Sequence, residues 1–156
     1  MKKWLFLFLA FGLGLLQLSP LGVLTPFNIK PDLLLVAALS AVFFFEFKYA
    51  FFLSVFCGLF KDAFLVYPLA LNTFSFALWS YLVFRVAKEI STENMLVKVG
   101  VVFLVALLQN IITGIACSYG GIVPAGIYLR VVVFGSIYTA LVSPLVFKLA
   151  KVIQNR

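Results

Sequence analysis

The sequence predicts an all-α membrane protein, a bundle of six transmembrane helices, and three observations lead to this prediction. First, 65% of the 156 residues are hydrophobic and 11% are charged, whereas a soluble domain is about 45–50% apolar and roughly 25% charged. Second, prolines, glycines and short polar stretches divide the chain into six apolar segments, and about 20 apolar residues cross a bilayer. Third, the basic residues lie singly at the ends of these segments, as membrane topology requires.

The six segments form one integral membrane domain over residues 1–156, with predicted spans at 4–24, 31–45, 49–66, 69–84, 95–119 and 127–149. The first follows Lys2 and Lys3 and resembles a signal peptide. No small-residue cleavage site follows it, which indicates an uncleaved first helix. Pro26 and Pro31 then oppose helix continuation, because each lacks an amide donor and biases the preceding residue toward extended geometry.

The second and third spans are separated only by "EFK" at 46–48, which predicts a tight hairpin, and Pro68 separates the third span from the fourth. Both spans are short for a bilayer, so we expect snorkelling, local thinning or burial among neighbouring helices to accommodate them. A single span over 33–60 is the alternative. It is disfavoured because Glu46 and Lys48 would then lie at the centre of the membrane.

The most polar stretch, 85–98, is predicted to be a surface loop in which Ser91 or Thr92 caps the fifth helix. Glycines and a proline between 120 and 126 predict the break before the sixth helix.

The distribution of positive charge predicts the orientation. With the amino terminus in the cytoplasm, the outer segments hold only Lys30, Lys61 and Arg130. The inner segments hold the other nine basic residues, which are Lys2, Lys3, Lys48, Arg85, Lys88, Lys98, Lys148, Lys151 and Arg156. The positive-inside rule therefore predicts that both termini are cytoplasmic. The same rule accounts for the net charge of +7. Binding of nucleic acid is not needed to explain this charge, since the basic residues form no continuous stripe.

The residue inventory argues against a catalytic, cofactor or metal site. The chain has no histidine, and its two cysteines, Cys57 and Cys117, stand alone in apolar runs. The histidines and paired cysteines that usually form zinc, haem and histidine-based catalytic sites are therefore missing from the sequence. A Ser–Lys mechanism is formally open, but no recognisable serine–lysine motif is present. The sequence therefore predicts a protein that is not an enzyme.

Two polar features stand inside the predicted spans. Gln109 and Asn110 lie midway along the fifth span, where polar side chains either bond across helices or contact a substrate. Gly58 and Asp62 are one turn apart on the third span and share a face. We expect Gly58 to admit a neighbouring backbone, and Asp62 to contact Arg130 or to share a network with it near the outer surface. We expect Lys61 to point elsewhere and snorkel outward. The alternative is that Asp62 and Arg130 both simply meet water.

Three segments resemble a known family, the rod shape-determining protein MreD: "IKPDLLLVAALSA", "GLFKD" and "YPLALNTFSFAL". The last helix, "SIYTALVSPLVFKLAK", is also similar through Tyr138 and Pro144. Ala70 departs from the family, which often has glycine there. The residues that carry the resemblance are Pro31, Asp32, Gly58, Leu59, Asp62, Pro68, Leu69, Leu71 and Asn72.

The resemblance implies a non-catalytic component of the rod complex, or elongasome, in the bacterial cytoplasmic membrane. This complex elongates peptidoglycan and maintains cell shape. The implied partner is an MreC-like bitopic protein. Further members are the actin-like MreB, a glycosyltransferase of the shape-elongation-division class and a class B penicillin-binding protein. The expected binding face includes the outer end of the third and fourth helices, ordered by Asp62 and Asn72.

The implied fold is similar to the substrate-binding subunits of energy-coupling-factor transporters, which makes vitamin uptake the alternative function. The two functions predict different interiors. A buried pocket lined by Gln109, Asn110 and Asp62 would favour uptake. A filled interior with a lateral apolar groove would favour the scaffold.

Overall fold

The computed structural model describes residues 2–18, 29–64, 70–89, 94–119 and 125–155. Within these ranges all regular secondary structure is α-helical, without a strand. Its six helices are α1 (Lys2–Leu18), α2 (Leu33–Phe44), α3 (Phe47–Ala63), α4 (Leu71–Glu89), α5 (Met95–Tyr119) and α6 (Ala125–Asn155).

The helix count and the fifth helix agree with the sequence prediction, but several boundaries differ. The predicted end of the first span, 19–24, lies outside the described residues. The fourth and sixth helices extend to Glu89 and Asn155, past the predicted ends at 84 and 149. The predicted loop over 85–98 is wrong at both ends, since its flanks are helical and only 90–94 separate the helices. Lysine, arginine and glutamate favour helix as strongly as leucine, so their polarity marks exposure rather than a helix end.

Within the described ranges, two helices are long and apolar enough to cross a membrane by length and composition. The segments are Met95–Ala116 and Arg130–Asn155, with mean hydropathy of 2.2 and 1.7. The stretches Lys3–Gln17 and Leu33–Phe44 are also apolar but shorter.

The shortest of these helices, α2, is the centre of the bundle. Its residues from Leu33 to Val42 are all buried, and it packs against every other helix. A helix that is hydrophobic on all sides is stable only when protein or lipid surrounds it. The enclosure by its neighbours explains how a helix of 12 residues belongs to the core.

Consecutive helices run in opposite directions, since Lys3 at the start of α1 lies beside Glu46 after the end of α2 and beside Tyr49 at the start of α3. The bundle therefore has two distinct ends. At one end Lys3 Nζ lies 3.1 Å from Glu46 Oε2, Gln154 Nε2 donates to the Phe44 carbonyl at 2.8 Å, and Lys98 Nζ lies 4.4 Å from the Phe44 ring centroid. We call this the basic end. The opposite end carries the end of α1, the starts of α2 and α4, and the end of α3.

Candidate functional site

The end of the bundle opposite the basic end carries a largely buried ion pair that the sequence prediction missed. Lys61 Nζ contacts Asp32 Oδ2, and the two side chains are 19% and 9% exposed. The expectation that Lys61 snorkels outward is therefore wrong. The side chain points into the bundle, where its ammonium also lies 5.4 Å from the Phe76 ring centroid. Desolvation is expensive for both ions, so each needs the other and further hydrogen bonds.

Asp32 gathers these further bonds at the start of α2. Its carboxylate accepts from the Leu35 amide at 3.2 Å, which caps the helix, and from Gln17 Nε2 at 3.4 Å. Its own amide donates to Thr139 Oγ1 at 3.0 Å. We call Gln17, Asp32, Lys61 and Thr139 the Asp32 cluster. It joins α1, α2, α3 and α6 at one point.

Asp62, the next residue along the chain, caps a different helix. Its carboxylate accepts the amides of Asn72 and Thr73 at 3.2 and 2.8 Å. It also accepts Asn72 Nδ2 at 2.8 Å and the Thr73 hydroxyl at 2.6 Å. These amides belong to the first turn of α4, where amides have no intrahelical partner and the helix dipole favours a negative charge. Asp62 thus performs the role of an N-cap from a neighbouring helix.

The expected contact between Asp62 and Arg130 is not formed. All four of the bonds above go to α4, and α3 and α6 do not pack against each other within the described residues. Arg130 lies exposed on α6. The two residues share an end of the bundle, but the intervening α2 separates their helices.

Removal of the Asp62 carboxylate should uncap α4. We expect Asp62→Ala to lower the free energy of unfolding by about 2 kcal/mol, because the free amides and side-chain donors of Asn72 and Thr73 lose a charged acceptor. Asp62→Asn should cost less, since one oxygen remains. Equilibrium unfolding in detergent measures both, with exposed Glu89→Ala as the control. Equal stability of Asp62→Ala and Glu89→Ala would contradict the capping role.

The close approach expected at Gly58 is present. A Cβ at this position would lie 2.4 Å from Thr73 Cα, 2.8 Å from Thr73 N and 2.9 Å from Asn72 O. All three atoms are backbone, so no side chain can move aside to make room. Glycine at 58 is therefore what allows α3 to approach the start of α4 closely enough for Asp62 to cap it.

Gln109 extends the Asp62 contacts into the core. It is 0% exposed. Its amide nitrogen donates to Asn72 Oδ1 at 3.1 Å and to Thr113 Oγ1 at 3.4 Å, and its oxygen accepts from Trp79 Nε1 at 2.8 Å. We call Asp62, Asn72, Thr73, Trp79 and Gln109 the Asp62 network. It links α3, α4 and α5, as expected of a polar residue that joins helices in a membrane protein.

Asn110 does not join this network. Its Nδ2 donates to Ser136 Oγ at 3.0 Å, which links α5 to α6. The neighbouring residues Gln109 and Asn110 therefore bond to two different helices, α4 and α6.

Substitution of Gln109 should strand two buried groups. We expect Gln109→Leu to cost about 1–2 kcal/mol of unfolding free energy, because Asn72 Oδ1 and the Trp79 indole lose their partner. The double variant Gln109→Leu with Trp79→Phe should recover part of this loss. Unfolding curves in detergent give the coupling free energy between Gln109 and Trp79. Strictly additive effects of the two substitutions would show that this hydrogen bond contributes nothing.

Of the other residues named from the sequence, Pro31 is buried directly before the helix cap at Asp32, and Pro68 lies outside the described residues. The sequence prediction missed Gln17, Thr73, Trp79 and Thr139. Gln17 and Thr139 could have been identified from the sequence, since each is a polar residue in an apolar helix. The sequence did not show which buried group the Trp79 indole bonds to, although a buried tryptophan N–H usually finds a hydrogen-bond partner.

The polar networks are internally complete. Within the described residues, no buried side-chain nitrogen or oxygen lacks a hydrogen-bond partner. Polar groups that bind a ligand usually project into a cavity, whereas those of Asp62, Asn72 and Gln109 bond to one another. The arrangement can fix helices in register, and it can transmit a displacement of α3 to α4 and α5.

A groove lies on the side of the bundle, between α1 and α3. It has a volume of about 340 Å³. Its lining is apolar apart from one tyrosine hydroxyl and consists of Leu7, Tyr49, Phe52, Leu53, Val55, Phe56 and Leu59.

No protein-family model matches the chain, and no curated protein or solved structure does so either. Function is therefore inferred from the geometry of the networks and the groove, together with the motifs in the sequence.

Proposed function

We propose that this protein is a non-catalytic, six-span membrane scaffold of the bacterial rod complex, similar to MreD, that binds an MreC-like bitopic protein. The observation that carries the proposal is the convergence of the family-like motifs. Asp32, Gly58, Asp62 and Asn72 come from three separate segments of the sequence. They meet at one end of the bundle, and each has a definite task in holding helices together.

Placement in the membrane is supported by the surface of the bundle. Large apolar side chains are exposed on all sides, including Phe52 on α3, Phe74 on α4, Leu104 on α5 and Leu141 on α6. Soluble monomers rarely expose contiguous apolar patches of this kind. The antiparallel course of the helices and the clustering of Lys3 and Lys98 at one end fit an inner-membrane bundle with both termini in the cytoplasm.

The scaffold role is favoured over vitamin uptake by the state of the interior. Uptake would use a polar pocket lined by Gln109, Asn110 and Asp62. Gln109 instead bonds to Trp79 and Asn72, and Asn110 bonds to Ser136. Among the described residues, these polar side chains thus bond to one another across helices, as expected of a scaffold that joins membrane segments rather than of a site that binds a small ligand.

The binding face that we propose is formed by the end of α3 and the start of α4. Phe64 is 57% exposed there and directly follows the helix that carries Asp62. The Asp62 network fixes α4 against α3 and thereby orders this face for the partner. The remaining rod-complex members, MreB, the glycosyltransferase and the class B penicillin-binding protein, would join through the assembled complex.

Co-purification with the MreC-like partner tests the proposal. Asp62→Ala should reduce the recovered complex, but it also weakens the bundle. Phe64→Ala leaves the Asp62 cap intact and removes a ring contact with Phe60 at 5.1 Å. It should reduce the complex with a smaller drop in unfolding temperature than Asp62→Ala. Leu104→Ala, on the exposed face of α5, is the matched control and should retain the partner. Full recovery of the complex and normal cell shape with both Asp62→Ala and Phe64→Ala would reject this face.

A further inference from the structure

The lateral groove between α1 and α3 has a definite length. It runs along α3 from Tyr49 to Leu59, which is about 15 Å at the rise of an α-helix. The hydrocarbon core of a bilayer is about 30 Å thick, so the groove spans one leaflet. A transmembrane helix would need the full thickness and a channel about 10–12 Å wide. The length therefore fits an acyl chain better than a partner helix.

Charge marks one end of the groove. Lys48 precedes Phe52 by one turn on the same face of α3, and its exposed side chain leans toward the helix start, at the basic end. Lys48 makes no ion pair within the described part of the chain. Lys3 lies at the same end, but Glu46 partly neutralises it at 3.1 Å. Among the described residues of α1 and α3, Lys48 is thus an unpaired cation available to a ligand in the groove.

The mouth of the groove is held in place by a contact between the two helices. The Tyr49 hydroxyl donates to the Lys3 carbonyl, which fixes the start of α1 against the start of α3. The apolar lining and the cation therefore keep a constant separation. An elongated apolar channel with a cation at its interfacial end is complementary to a lipid that carries a negative headgroup.

We propose that the groove binds one anionic phospholipid of the leaflet at the basic end, with its phosphate at Lys48 and an acyl chain along Phe52, Phe56 and Leu59. The proposal rests on the membrane placement given under the proposed function, but it does not depend on the scaffold role. Such a lipid would cover the side of α3 opposite to the Gly58 contact with α4, and would support the short α3 in the bilayer.

Lipid titration of the purified, delipidated full-length protein tests the site. Native mass spectrometry would compare phosphatidylglycerol with phosphatidylcholine of identical acyl chains. We expect one phosphatidylglycerol to bind preferentially. Lys48→Gln should weaken it about fivefold, the effect of one interfacial cation, and leave phosphatidylcholine unchanged. Val55→Phe should fill the groove and reduce retention of both lipids. Lys88→Gln and Leu104→Phe are the controls at exposed positions of α4 and α5.

Equal binding of the two lipids, or equal effects of Lys48→Gln and Lys88→Gln, would overturn the site. Photo-crosslinking in native membranes from benzoylphenylalanine placed at Phe56 identifies the occupant. A phospholipid adduct supports the proposal, whereas a crosslinked second copy or another protein contradicts it. Absence of lipid selectivity in the unmodified protein, with the MreC-like partner retained, would reject only the lipid site. Retained lipid selectivity with loss of the MreC-like partner would reject only the scaffold role.

Discussion

Replacement of Lys61 by methionine should lower the free energy of unfolding by about 3–5 kcal/mol, because it leaves a buried carboxylate without its counter-ion. Asp32 is 7% exposed, and its remaining partners, Gln17 and the Leu35 amide, are neutral. Methionine keeps most of the length and apolar volume of lysine, so the loss reports the charge rather than a cavity. Equilibrium unfolding in mixed detergent micelles measures it.

A double-mutant cycle isolates the ion pair. Asp32→Asn added to Lys61→Met should cost much less than the sum of the two single substitutions, because the second change removes the stranded charge. Lys88→Met is the matched control at an exposed lysine of α4 and should change stability by less than about 0.5 kcal/mol. A similarly small effect of Lys61→Met would mean that Lys61 lies in water and that the pair is not buried.

Gly58→Ala should cost about 3 kcal/mol or more, because the added Cβ meets the α4 backbone at 2.4 Å and overpacking of a rigid contact is destabilising. Gly100→Ala is the matched control within a helix, since a Cβ there has no heavy atom within 4 Å. It should be neutral or stabilising by up to about 1 kcal/mol, the difference in helix propensity. The same unfolding measurement compares the two variants.

The same substitution should also release the cap on α4. Once α3 moves away, Asp62 can no longer reach the amides of Asn72 and Thr73. Gly58→Ala combined with Asp62→Ala should therefore be scarcely less stable than Gly58→Ala alone. Additive losses would show that the close approach and the cap are independent. Equal stability of Gly58→Ala and Gly100→Ala would contradict the close approach itself.

The starts of the helices were more predictable from the sequence than their ends. Pro31 predicted a helix start at residue 31, two residues before the observed start of α2 at Leu33, because a proline acts locally. The predicted end of α4 at Phe84 is five residues too early, because the charges of Arg85 and Lys88 indicate exposure rather than a helix end. Helix ends without glycine or proline depend on solvent exposure and packing, which no short sequence window records.

The candidate site was predictable as a set of residues but not as a set of contacts. The spacing of Gly58 and Asp62 indicated a close approach and a nearby acceptor, and both are present. The partner of Asp62 was predicted wrongly as Arg130, because a shared end of the bundle does not reveal which helices are adjacent. The inward direction of Lys61 was missed for a similar reason. The direction of the Lys61 side chain is set by Asp32, which lies at the start of another helix.

The most direct test of the central claim is controlled depletion of this protein in its native cell, followed by microscopy and by growth with and without added vitamins. The scaffold role predicts that rod-shaped cells become round while their vitamin requirement stays unchanged, and that Phe64→Ala fails to restore the rod shape where Leu104→Ala succeeds. Cells that keep their shape on depletion and require an added vitamin for growth would contradict it.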